Sequence, residues 1–145
     1  MAEIKTTFRG IDKLPTLAAR IAAAKNFYKV ARPIVDEWQE TTVLIARKYP
    51  PPPPGSKYVR TFKLQNSWRM SPISGVGTIR ASVYSNGTAN AGYGDYAPYV
   101  MGATKQASVH QGRWKTDKDI GEETKADVKR KLSKAMKLTL KNIVP

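Results

Sequence analysis

Three carboxylates, Asp36, Glu37 and Glu40, crowd one short stretch, and the single histidine, His110, lies two residues after Ser108. Facing carboxylates can do acid/base work when their environments push the two pKa values apart. Glu37 and Glu40, however, stand three apart beside Trp38 with no histidine near them in sequence, the spacing of a solvated helix face. Ser108 and His110 lack the third, orienting group and the oxyanion donors of a nucleophilic site, so His110 reads as a loop or packing residue. Cysteine is absent, which leaves neither a disulfide framework nor a Cys/His cluster for zinc. GVGTIRAS and GYGDYAPY fit neither the dinucleotide fingerprint nor the lysine-bearing phosphate loop. No catalytic residue, metal ligand or cofactor is therefore assigned, and the expectation is a protein that is not an enzyme.

Anion binding is the second chemistry on offer. Twenty-five basic residues against eleven acidic ones give a formal charge of +14. Arg60, Lys63, Arg69 and Arg80 interleave with Tyr58, Phe62, Trp68 and Tyr84, and cations with stacking rings are the two parts of a sequence-tolerant single-strand surface. Ordinary strands also alternate rings and charges. Near the C-terminus, six basic and no acidic residues follow Val128. Lys129, Arg130 and Lys134 of this group can contact phosphates, and a solvated helix face near a favourable C-terminal dipole accounts for them equally. The excess is chain-wide and greatest between residues 50 and 118, which argues against one compact basic footprint.

The third feature is the aromatic and glycine-rich run 94–116. Tyr96 and Tyr99 fall on one face of a short helical turn that Gly102 can stop. Trp114 has the apolar body and polar tip used both for anchoring a local core and for anchoring a partner.

The elements that must carry these groups follow from periodicity. Leu17, Ile21, Ala24, Tyr28, Ala31, Val35, Trp38, Thr42 and Ile45 form a stripe in steps of three and four, which predicts one helix over residues 14–48. Asp12 or Thr16 caps its start with Pro15 in the first turn, and Pro33 deletes one internal bond, so a kink is expected. A coiled coil is the alternative, with Ala24, Ala31 and Thr42 as poor knobs. Residues 49–63 form a proline-rich loop, in which five prolines precede Gly55 and Ser56 as a stiff spacer or a ligand for an aromatic groove. Residues 64–93 read as an antiparallel hairpin region. Ile79, Ala81 and Val83 alternate with Arg80, Ser82 and Tyr84, Pro72 ends or edges the preceding strand, and Asn86-Gly87 suits a two-residue turn. An amphipathic helix over 119–142 closes the chain on Val128, Leu132, Ala135, Met136, Thr139 and Ile143. The N-terminal ten residues lack a signal-like apolar run, no window has the 18 apolar residues of a membrane span, and no membrane partner is expected. At 145 residues the chain reads as a single domain, 1–145.

YPPPPPGSKYVRTFKLQNSWR, followed by a hairpin and by YAPYVMGATKQASVHQGRWKT, resembles the small head-tail joining or tail-completion (neck) proteins of long-tailed bacteriophages and prophages. Thr61, Leu64 and Ser67 match that family's Thr-x-x-Leu-x-x-Ser, and Tyr96, Tyr99, Val100 and Gly102 match its Tyr-x-x-Tyr-Val with a glycine close behind. The likeness runs from about residue 14 to residue 140. Where many relatives carry an acidic residue and Gly-Thr after Tyr-Val, this chain has Met101, Gly102, Ala103 and Thr104. The resemblance implies a structural subunit of an oligomeric ring in the virion neck or upper tail, assembled in the host cytoplasm. Its implied neighbours are a head connector or adaptor and a tail tube or terminator protein, with non-specific DNA contact possible there. It further implies that Tyr96, Tyr99, Val100, Gly102 and Trp114 build a sheet edge and subunit contact, while the proline loop, with Pro52, Tyr58 and Phe62, reaches toward a partner ring beside Trp68. The expected fold is α+β: a long N-terminal helix on a small antiparallel sheet, completed by a C-terminal helix. A basic nucleic-acid-binding module is the alternative function.

Overall fold

A computed structural model describes residues 2–52, 54–55, 63–75, 78–86 and 100–142. The fold is α+β, with strands β1 (Ala2–Thr7), β2 (Trp68–Met70) and β3 (Thr78–Ser85) in one antiparallel sheet. Helix α1 spans Leu17–Ala46, a single turn α2 spans Lys63–Asn66, and α3 spans Asp117–Lys141. The strand order is β1-β3-β2, so β3 is the central one.

Thr16 adopts extended backbone and accepts the Ala19 amide at 3.1 Å, which satisfies one of the orphan donors at the start of α1. Pro15 consequently precedes the cap instead of occupying the first turn, and Asp12 belongs to a short 3-10 turn, Ile11–Lys13. The helix runs on through Pro33 for 30 residues. Its buried stripe differs from the expected one at the N-terminal end: Leu17 is 71% and Ile21 47% exposed, while Ala23 and Phe27 are fully buried. The reason is a ring pair. Phe27 stacks on Phe8 at 4.7 Å and 23°, and Phe8 hangs from the chain leaving β1, a strand not anticipated. From Ala31 through Val35, Trp38 and Thr42 the expected phase holds.

The sheet presents Ala2 and Ile4 of β1 and Ile79, Ala81 and Val83 of β3 to the helices, and Trp68 of β2 joins them in the core. Residues 64–66, expected to be extended, instead form α2, which buries Leu64. Between β2 and β3, Gly75 has a φ of 120°. A Cβ there would lie 1.6 Å from the Thr78 carbonyl oxygen, so only glycine fits. The expected Asn86-Gly87 turn lies outside the described residues beyond Asn86, whose amide donates to Ser67 O at 2.8 Å. β2 ends two residues before Pro72 and is an edge strand, as a proline requires.

Thr116 and Asp119 form a reciprocal capping box, so α3 starts two residues earlier than expected. It buries Ile120, Thr124, Val128, Leu132, Ala135 and Thr139, leaves Met136 half-buried, and packs against both α1 and β1. The two long helices thus form one layer over the inner sheet face.

Candidate interaction surfaces

Beyond the end of α1, Tyr49 meets Trp114 with ring centroids 4.5 Å apart and tilted by 55°. His110, closing a 3-10 turn (Ser108–His110), points an edge at the same indole at 6.0 Å. One residue from Trp114, the Arg113 guanidinium donates to the Pro51 carbonyl at 3.1 Å. Gln106 ties the loop internally, its Nε2 donating to Val100 O at 2.8 Å and Trp114 O at 3.1 Å. The Asp117 carboxylate accepts the Ala103 amide at 3.1 Å, which fixes the loop to the first turn of α3. Two segments far apart in sequence, the proline run and the 100–116 loop, are thereby clamped together. Their outward groups include Pro51, Pro52 and Val109, the last 64% exposed. His110 Nδ1 is buried with no hydrogen-bond partner among the described residues.

The residues expected to make contacts separate under this geometry. Pro52 is exposed, Val100, Gly102 and Trp114 are half-buried, and Val100 and Trp114 pack on the core margin. Trp68 is only 5% exposed and is a core residue, so it offers no surface to a partner in this structure. Tyr58, Arg60, Phe62, Tyr96 and Tyr99 lie outside the described residues, as does the Lys63 side chain. Leu64 and Ser67, matched to the family pattern, are structural: Leu64 is buried, and the Ser67 hydroxyl bonds Leu64 O at 2.7 Å and Ser85 Oγ at 2.6 Å. Tyr49, Gln106 and Arg113 were not singled out by sequence. Only the meeting of the two loops gives them a role.

The basic residues divide in the same way. Arg80 of β3 and Arg69 of β2 point outward from the sheet, and strand register sets Arg69 opposite Tyr84 and Arg80 opposite Lys5. Trp68 faces the other way, which breaks the expected alternation of rings and cations. Arg69 folds back on its own chain, its Nη1 donating to Asn66 O at 2.6 Å and Trp68 O at 3.0 Å. Lys129, Arg130 and Lys134 are exposed on α3, and Arg130 is engaged by Asp127 at 2.6 Å.

Asp36 and Glu37 of α1 face cations instead of each other. Glu37 bonds Lys131 at 2.8 Å, and Asp36 lies 3.8 Å from Arg32. Lys131 also reaches Asp127 at 3.1 Å, bridging the two helices. Glu37 and then Asp127 raise the Lys131 ammonium above its ordinary value, while Arg130 and Lys131 lower the Asp127 carboxyl by hydrogen bonding. Glu37, Asp127 and Lys131 rim a groove between α1 and α3 of about 240 Å³, with Ile34, Trp38 and Ile45 in its lining. Glu40 is exposed and makes no ion pair among the described residues. Among those residues no cluster of three acidic, histidine or cysteine side chains could hold a metal, and no helix is long and apolar enough to cross a membrane.

Searches with the chain find no matching family model, no matching curated protein and no matching solved structure.

Proposed function

We propose that this protein is a structural assembly subunit that works as one copy in an oligomeric ring. The place proposed for it is the neck or upper tail of a long-tailed phage virion, between a head connector or adaptor and the tail tube or terminator. The observation that carries this reading is the clamp between Arg113 and Pro51, backed by the Tyr49–Trp114 ring pair. It holds a stiff proline segment and a glycine-bearing loop as one preorganised surface, and preorganisation lowers the ordering cost of association. Polyproline presents apolar rings on a backbone with little freedom left to lose, while Val109 adds exposed apolar area beside it. Asp36 and Glu37 pair with cations and His110 packs on Trp114, which favours a protein that acts through contacts over one that acts by chemistry.

The test is light scattering of the purified chain across a concentration series. It should be repeated at about 0.5 M salt, where screening confines exposed charges to within roughly 4–5 Å. A defined oligomer that survives the salt is expected, because contacts made by apolar and aromatic burial persist when charges are screened. A chain that stays monomeric throughout, and that stays monomeric when mixed with connector and tail proteins, would overturn the reading.

A further inference from the structure

We infer that the outward face of the sheet is a second binding surface, one that takes the phosphate backbone of duplex DNA, with Lys5 and Arg80 as its central contacts. Strand register places Lys5 and Arg80 directly opposite each other on the solvent side of β1 and β3. Both are exposed, and neither has a carboxylate partner among the described residues. Like charges directly opposed across strands destabilise a sheet, so the folded chain holds together two cations that an anion between them would relieve. Arg69 on the next strand adds a third cation, with its guanidinium held at the sheet edge by the Asn66 and Trp68 carbonyls. Thr7 and Thr78 continue the row with hydroxyls 3.3 Å apart, and hydroxyls are ordinary phosphate ligands. Glu3, the only acidic residue in these strands, is exposed on the same face, two residues from Lys5 and opposite Ser82.

The chemistry of the face selects its occupant. Tyr84 is the only ring on it among the described residues, and it is half-buried. A single-strand surface needs successive exposed rings for the bases to stack on, whereas a duplex keeps its bases stacked inside and lines its outside with phosphates. A face with three cations and a pair of hydroxyls against one carboxylate, and with no stacking ladder, therefore fits duplex phosphates and carries no base readout. This surface lies on the sheet and is independent of the proline clamp, so it stands or falls apart from the ring assembly proposed above.

The experiment is anisotropy of a labelled random-sequence duplex over a salt series, with the full chain, with Lys5→Ser/Arg80→Ser, and with Lys129→Ser/Arg130→Ser/Lys134→Ser. Removing two phosphate contacts should lower the slope of log affinity against log salt by about 1.8. Lys5→Glu is the second variant: it places a carboxylate opposite Arg80, so its melting temperature should rise while its DNA affinity falls. No binding by the full chain at low salt would overturn the inference. So would a slope unchanged in the sheet variant, a loss confined to the helix variant, or binding of poly-glutamate as tight as that of the duplex.

Discussion

The Trp38 indole nitrogen donates to Thr124 Oγ1 at 3.0 Å, joining α1 to α3 across 86 positions of sequence in a fully buried setting. Thr124 in turn donates to the Ile120 carbonyl at 3.0 Å, and Thr42 donates to the Trp38 carbonyl at 2.7 Å. Every polar atom at this crossing is thus satisfied, and the pair sets both the distance between the helices and their register.

Thr124→Val should destabilise the chain by about 1–3 kcal/mol, since the methyl group keeps the packing but strands a buried indole N–H. Trp38→Phe in that background should cost less than in the parent, because the donor left without an acceptor is then gone. Urea unfolding of the four chains measures the coupling, and strict additivity would show that the bond contributes nothing to stability.

Gly75→Ala should cost more than the roughly 1–3 kcal/mol of a strained backbone alone, because the new Cβ would overlap the Thr78 carbonyl as well as sit at positive φ. Gly112→Ala also meets a positive φ, 71°, but nothing lies within 4 Å of its Cβ, so it should cost less. Thermal melts of both variants rank them; equal losses would mean that the close approach at Gly75 relaxes without penalty.

Thr116→Ala should remove about 1 kcal/mol by opening the capping box of α3. The Thr116 amide and hydroxyl both donate to Asp119, at 2.9 and 2.7 Å, and hold its carboxyl below its ordinary 3.8. A depressed folded-state value means that the box stabilises fully above about 3.8 and that its contribution is lost as pH falls through the lowered value. The Asp119 carboxylate is exposed, so the effect is small and solvent-screened. Stability of the parent and of Asp119→Asn, followed from neutral pH downward, should converge at the acid end, and a constant gap would exclude the linkage.

Arg113→Ala should leave the melting temperature nearly unchanged, within the roughly 0.5 kcal/mol typical of surface changes, and should weaken self-association. Its only described role is to hold the Pro51 carbonyl from an exposed position. Trp114→Ala should do both kinds of damage, because the indole also packs on the core margin. Light scattering beside thermal melts separates the two variants, and an Arg113→Ala chain that assembles like the parent would remove the clamp from the interface.

Much of the fold was legible because helices and alternating strands repeat locally. The stripe from Ala31 to Thr42, the inward set Ile79, Ala81 and Val83, and the α3 row Val128, Leu132, Ala135 and Thr139 each follow from a few neighbouring residues, and each is buried as its period requires. Pro72 likewise announced an edge strand from its missing donor alone. β1 also left a trace, since Ala2, Ile4 and Thr6 alternate with Glu3, Lys5 and Thr7, but six residues at a chain end are too short a pattern to stand out without their partner.

Tertiary structure alone decided where that strand goes and what it brings. Pairing with β3 sets Lys5 against Arg80, and Phe8, which follows the strand, turns α1 so that Phe27 is buried and Ile21 is not. It likewise sent Trp68 inward, to the opposite face from its neighbour Arg69, and brought Arg113 to Pro51 and Trp114 to Tyr49. Local preference is written in residues a few positions apart, so the chain by itself determined its two long helices, the alternation of β3 and its excess of charge. Which side chains share a surface depends on contacts between segments tens of residues apart, and these exist only once hydrophobic burial has closed the helices over the sheet.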